Sequence, residues 1–243
     1  MDVFVSEIFS SVQGEGPLVG CRQIFLRFAG CNLDCAYCDT PGEMRPTHCR
    51  CENALDGKDL AFYKNPLNAG QVVSAVERLK PSIHHSISLT GGEPLLQNEF
   101  LLEILPLIKG TRLGVYLETN GTLTEQLESI IGMVDFIAMD IKLPGVSGLP
   151  PMWEEHKRFL AAAVQKKVFV KVVVGGKTRE EEFIQAVQHV AEIADLPLII
   201  QPVTGSRFLK PDPARLLCLQ ERALDCLSDV RVIPQVHKML ELV

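Results

Sequence analysis

From residue 69 onward the chain alternates helix-like and strand-like segments, and this alternation restricts it to a parallel sheet covered by helices. Apolar strand-like runs fall at 86–89, 114–117, 135–141, 168–174 and 197–201, with helical patterns at 69–80, 97–109, 122–131, 151–166, 178–194 and 211–227. An earlier run at 22–29 supplies a first strand. About six parallel strands are too few to close an eight-fold barrel, so the expected fold class is α/β, an open, partial TIM-like barrel with covering helices. Thr122 with Glu125 and Thr178 with Glu181 have the spacing of capping boxes, which would mark two helix starts.

At 243 residues and 47% hydrophobic, the chain can bury the core of a single domain spanning 1–243. The stretch at about 41–68 breaks the rhythm and reads as an irregular insertion, a lid or an added motif. A net charge of −6 gives no Lys/Arg surplus for phosphate backbones, which argues against nucleic acid and for a small substrate. No apolar run approaches the roughly 20 residues that cross a bilayer. The start, Met1 to Glu7, lacks the basic and apolar parts of a secretory signal, so the expectation is a cytoplasmic protein without a membrane partner. Eight cysteines in a reducing compartment are expected as free thiols or metal ligands.

Three of them, Cys31, Cys35 and Cys38, follow the first strand in the order C-N-L-D-C-A-Y-C. That spacing lets three thiolates meet on one metal centre and leaves a fourth position open, as a catalytic site requires. A structural zinc site completed by His48, Cys49 or Cys51 is the competing reading. A thioredoxin-like Cys35/Cys38 pair would leave Cys31 idle. Other motifs also end strands: Thr90-Gly91-Gly92-Glu93-Pro94, Glu118-Thr-Asn-Gly121, Asp140-Ile141-Lys142 and Gln201-Pro-Val-Thr204. A partial barrel gathers such strand ends at one rim, where ligands bind. Paired glycines allow backbone to approach a ligand, and the carboxylate of Glu93 can accept from an ammonium. Lys171 lies in an apolar strand, where it either meets an anion inside the barrel or faces water, and Lys142 poses the same choice.

The C-x3-C-x2-C loop resembles that of the radical S-adenosylmethionine enzymes. The resemblance implies a [4Fe-4S] cluster on Cys31, Cys35 and Cys38, whose fourth iron holds S-adenosylmethionine and reduces it to a 5′-deoxyadenosyl radical. It further implies that Tyr37 borders the adenine and that Gly91, Gly92 and Glu93 meet the amino group. Asp39, Glu118, Asp140, Ile141, Lys142, Lys171, Gln201 and Thr204 are the other residues expected at the cosubstrate.

The run Gln13-Gly14-Glu15-Gly16, with Arg27-Phe-Ala-Gly-Cys31 and Cys38-Asp39-Thr40, resembles the 7-carboxy-7-deazaguanine synthases from near residue 7 to Arg231-Val-Ile-Pro-Gln235-Val-His237. The likeness implies conversion of 6-carboxy-5,6,7,8-tetrahydropterin to 7-carboxy-7-deazaguanine, on the route to queuosine, by radical ring contraction with loss of ammonia. It implies Mg2+ on Thr40, a position that a helix N-cap would also explain. Gln13, Glu15 and the backbone at Val12 and Gly14 would meet the pterin edge, and Arg27 its carboxylate. Thr90, Gln235, His237 and the Val243 carboxylate would complete the substrate site, with Gln13, Glu15, Arg27 and His237 as the catalytic candidates. A reductant such as flavodoxin or ferredoxin and a homodimer are also implied. Asp140-Ile-Lys142, where several synthases have Ser-Pro-Lys, instead resembles the strand end of glycyl-radical enzyme activases, which stand as the alternative. Cys49 and Cys51 lie outside the pattern and read as a second metal site, a redox-sensitive pair or incidental thiols.

Overall fold

Period-two alternation decides which side of each strand is dry. In β2 (Arg22–Phe28), Ile24, Leu26 and Phe28 enter the helix-side core, while Gln23, Phe25 and Arg27 stand on the opposite face. The computed structural model describes residues 1–40, 43–55, 59–204 and 211–242. Its main sheet has ten strands, beginning in the chain with β1 (Val5–Val12), β2, β3 (His48–Glu52) and β4 (Leu60–Lys64). It continues with β5 (Ser86–Gly91), β6 (Val115–Thr119), β7 (Phe136–Ile141), β8 (Lys167–Val174), β9 (Leu198–Pro202) and β10 (Val230–Val232). The spatial order is β10-β9-β8-β7-β6-β5-β2-β1-β3-β4.

From β2 to β10 every neighbouring pair is parallel, giving seven parallel strands rather than about six. The added strand, β10, is only three residues long and carries Arg231 at its centre, too short to show periodicity. On the other flank β1 runs antiparallel to β2, β3 parallel to β1, and β4 antiparallel to β3. The stretch expected to be an irregular insertion therefore carries a hairpin that widens the sheet.

The helices are α1 (Ala69–Arg78), α2 (Asn98–Ile104), α3 (Thr124–Ile130), α4 (Pro144–Ser147), α5 (Trp153–Ala163), α6 (Glu180–Ile193), α7 (Pro213–Leu224) and α8 (Val236–Met239). Phe183, Ala186, Val187 and Val190 of α6 are fully buried, the stripe that a covering helix needs. Each such large apolar side chain contributes about 1.5–3 kcal/mol.

Neither expected capping box forms. The residue before α3 is Leu123 and before α6 is Arg179, neither giving a side-chain cap. Thr122 instead donates to Asn120 Oδ1, and the Thr178 hydroxyl accepts from Gly175 N. Both threonines sit one residue too early and serve their own loops. The capping box that does form joins Asn68 and Gln71 at the start of α1.

Candidate active site

The strand faces turned away from the helices line a polar groove. Gln23 donates to Ser86 Oγ at 2.8 Å, and Gln13 Nε2 donates to both Gln23 and Glu118. Glu118 also accepts from Ser88 and, at 2.6 Å, from Thr90. On the same face lie Phe9 and Phe25, stacked with ring centroids 5.0 Å apart, and the Arg27 guanidinium covers Phe9. Glu7 binds that guanidinium at 3.0 Å and Arg50 of β3 at 2.6 Å. Neither Glu7 nor Arg50 emerged from the sequence, because their pairing joins strands 43 residues apart.

Lys171 points into the groove. It pairs with Glu15 and, at 3.3 Å, with Asp140, which holds Lys142 at 2.8 Å. Lys142 lies 5.3 Å from the Tyr37 ring centroid. Burial opposes the charge on every member of this ladder, yet the alternation of sign prevails. Glu15 and Asp140 stay below the ordinary carboxylate range and Lys171 well above the ordinary lysine range.

Glu15 also accepts from Gln201 at 3.3 Å and Gln235 at 2.8 Å, and Gln235 reaches Asp39, which Lys238 pairs at 2.5 Å. The closing helix α8 is thereby tied to both the Gln-Gly-Glu-Gly loop and the cysteine loop. Its docking needs a glycine, since a Cβ on Gly14 would lie 2.1 Å from His237 Nδ1. Val12 ends β1, and the Gly14 carbonyl already accepts from Val236 N. Thr204 lies just beyond β9, and Val243 lies outside the described residues.

Several residues expected at the ligands also make contacts within the fold. A Cβ on Gly91 would meet Phe28 O at 2.2 Å and one on Gly92 would meet Gly30 O at 1.7 Å. The two glycines therefore let the end of β5 seat the cysteine loop, and Glu93 N donates to Gly30 O at 2.8 Å to hold it there. The Glu93 carboxylate is 1% exposed and accepts from Leu95 N, Thr119 Oγ1 and Asn120 N, so it braces two strand ends. Gln13 likewise has both amide hydrogens engaged, and its oxygen accepts from Glu15 N. Ile141 faces the helix-side core, against the expectation of cosubstrate contact, because it lies one residue out of phase with Asp140.

Burial pushes the Glu93 carboxyl up to about 7 from an ordinary 4.5. The folded chain thus keeps this proton where the unfolded chain releases it, and stability falls as pH rises between those values. In urea denaturation, the stability of wild type relative to Glu93→Gln is expected to decline by about 1–3 kcal/mol across that window. A pH-independent difference would show that Glu93 ionises normally.

The three cysteines lie on one loop beside Asn120, whose amide donates to Cys31 Sγ at 3.8 Å, while Leu33 N approaches the same sulfur at 3.4 Å. Burial pushes Cys35 up to about 11, with Cys31 and Cys38 close enough to add to the rise. Among the described residues no three acidic, His or Cys groups stand at metal-binding distance of a single ion. Thr40 follows, its carbonyl accepting from Cys38 Sγ at 3.5 Å. The residues at which a helix capped by Thr40 would begin, 41 and 42, lie outside the described residues. Cys49 and Cys51 are both fully buried in the core with sulfurs 3.5 Å apart, and His48 is exposed. Among the described residues none of the three joins the loop cysteines in a metal-binding group.

The Radical SAM superfamily model matches residues 26–190. Over 241 residues the chain is 44% identical to the 7-carboxy-7-deazaguanine synthase of Geobacter sulfurreducens, covering 97% of this chain and 96% of that one. The chain belongs to the 7-carboxy-7-deazaguanine synthase family of radical SAM enzymes. The synthase of Archaeoglobus fulgidus is 36% identical, with 96% of each chain covered. The crystal structure of QueE from Escherichia coli shares the fold, with TM-score 0.60 at 19% identity over 98% of this chain and 95% of that one. These relatives exclude the activase and zinc-module alternatives.

The cofactors of this radical SAM family are a [4Fe-4S] cluster, S-adenosylmethionine and Mg2+. The residues present suit them. Three thiols on one loop match three irons, and the loop is seated by the Gly91-Gly92 backbone. Next to it Tyr37 Oη, Asp140 Oδ1 and Gln201 Oε1 are buried with no hydrogen-bond partner among the described residues, as polar walls awaiting a polar ligand would be.

Proposed function

We propose that this chain converts 6-carboxy-5,6,7,8-tetrahydropterin to 7-carboxy-7-deazaguanine in the groove between Arg27 and the cysteine loop. The observation that carries the reading is that β2 bears Arg27 on the groove face and runs directly into the loop of Cys31, Cys35 and Cys38. A substrate anchored by its carboxylate at Arg27 then lies within reach of whatever the thiolates hold.

When bound, the cluster and S-adenosylmethionine supply the electron and the 5′-deoxyadenosyl radical that removes a substrate hydrogen. The protein's part is to position and enclose. Arg27 offers a planar cation to the substrate carboxylate. Phe9 and Phe25 give the flat pterin an apolar wall. Glu118, held by Gln13, Ser88 and Thr90, presents a fixed carboxylate to the pterin's amine edge. Gln13 acts as its brace. Glu15 and Gln235 join the pocket wall to α8, which brings His237 over the Gly14 backbone at the mouth. Asp140, Lys142, Lys171, Gln201 and Thr204 form the side assigned to S-adenosylmethionine, with Tyr37 against its adenine and Asp39 held by α8. Thr40 offers its hydroxyl to Mg2+. No helix among the described residues is long and apolar enough to cross a membrane. On family likeness the reading adds a cytoplasmic homodimer reduced by a flavodoxin or ferredoxin.

The test is anaerobic incubation of reconstituted enzyme with dithionite, S-adenosylmethionine, Mg2+ and the carboxypterin. The deazapurine is expected; deoxyadenosine release with the pterin intact would refute the assignment. Arg27→Ala is expected to weaken substrate binding about 10- to 100-fold while iron content and S-adenosylmethionine binding hold. Unchanged substrate affinity in calorimetry would remove its role.

A further inference from the structure

The Cys49-Arg50-Cys51 triplet gains a use once the strand is in place. Its two cysteines face the core, so the arginine between them faces the groove, directly opposite Glu7 in the pairing of β3 with β1. Glu7 in turn stands opposite Arg27 in the pairing of β1 with β2. One carboxylate thus bridges two guanidiniums. Glu7 Oε1 accepts from Arg50 Nε at 2.8 Å, and Oε2 accepts from Arg27 Nε at 3.0 Å. The side chains of Arg27, Glu7 and Arg50 are 21%, 22% and 30% exposed, so the trio lies half-sheltered.

A lone Glu7 beside Arg27 would be a poor neighbour for an anion site. A carboxylate and a guanidinium free to choose their geometry prefer two parallel hydrogen bonds, which would fill the Arg27 fork and cancel its charge. Arg50 prevents this by claiming Oε1. Arg27 is left attached to Glu7 through Nε alone, its guanidinium carbon 5.4 Å from the Phe9 ring centroid, and among the described residues no side chain accepts from its terminal nitrogens. The trio carries a net charge of +1, from two cations and one anion.

We propose that Arg50 is a positioning residue for the substrate's carboxylate: by occupying one oxygen of Glu7 it keeps the Arg27 fork open and the site cationic. This rests on the assignment of Arg27 above, and it gives the β3–β4 hairpin a part in substrate selection.

Calorimetry of the reconstituted holoenzyme with S-adenosylmethionine, titrated with 6-carboxytetrahydropterin and with the same pterin lacking the carboxylate, tests it. Arg50→Met is expected to bind the carboxylated ligand about tenfold more weakly and the other ligand as wild type does. Adding Glu7→Gln to Arg50→Met removes the competing carboxylate and is expected to restore affinity to within about threefold. Arg50→Lys, which keeps a cation near Glu7, should fall between; thermal melts confirm that each variant is folded. A merely structural Arg50 would weaken both ligands equally and would not be rescued by Glu7→Gln. If Arg27→Ala loses affinity while Arg50→Met does not, this inference alone is overturned. If Arg27→Ala also binds normally, the assignment of the carboxylate site falls with it.

Discussion

Single replacement of Cys31, Cys35 or Cys38 by alanine is expected to leave the fold intact and remove turnover altogether, a loss of at least about a millionfold. Cys38 is exposed and the other two are only partly covered, so none belongs to the packed core whose truncation would destabilise the sheet. Their loop is fixed instead by backbone, through Gly92 N to Phe28 O and Glu93 N to Gly30 O. A variant lacking one thiol keeps that seat and lacks a corner of the cluster. Iron and sulfide should drop in each variant while the circular dichroism spectrum and urea midpoint stay near wild type. Full iron content in any one of them would show that its sulfur is not a ligand.

Lys171→Met is expected to cost about 3–5 kcal/mol of stability, the penalty for stranding a buried carboxylate. Lys171 is the cation that Glu15 and Asp140 share, and the two anions differ in what remains to them. Asp140 retains Lys142, whereas Glu15 would keep only the neutral amides of Gln201 and Gln235. The loss should therefore be recovered in large part by Lys171→Met with Glu15→Gln, and hardly at all by Lys171→Met with Asp140→Asn. Urea denaturation of the three variants beside wild type measures it. A loss under 1 kcal/mol for Lys171→Met would mean that the ladder is solvated.

The parallel half of the fold was legible because its strands are apolar on the helix face and its motifs all close strands. The wing beyond β2 was not, since β3 reads His-Cys-Arg-Cys-Glu, a strand without apolar alternation in the ordinary alphabet. The direction of Lys171 could not be read from one strand alone, because either face of an isolated strand is available to a lysine. It is settled by Glu15, 156 residues away in the chain. The site's chemistry was legible as residue types, but the hydrogen bonds that these residues make to one another were not. Gln13 also braces Gln23 and Glu118, Glu93 also accepts from Leu95 N, Thr119 Oγ1 and Asn120 N, and Gly91 and Gly92 also make room for backbone. Arg50 was hidden between two cysteines that drew attention to themselves as metal ligands.

The clasp between Glu15 and Gln235, with His237 laid on Gly14, spans 220 residues of chain. A chain stopped short of Gln235 would therefore lose this tie, and Glu15 would keep only Lys171 and Gln201 as side-chain partners among the described residues.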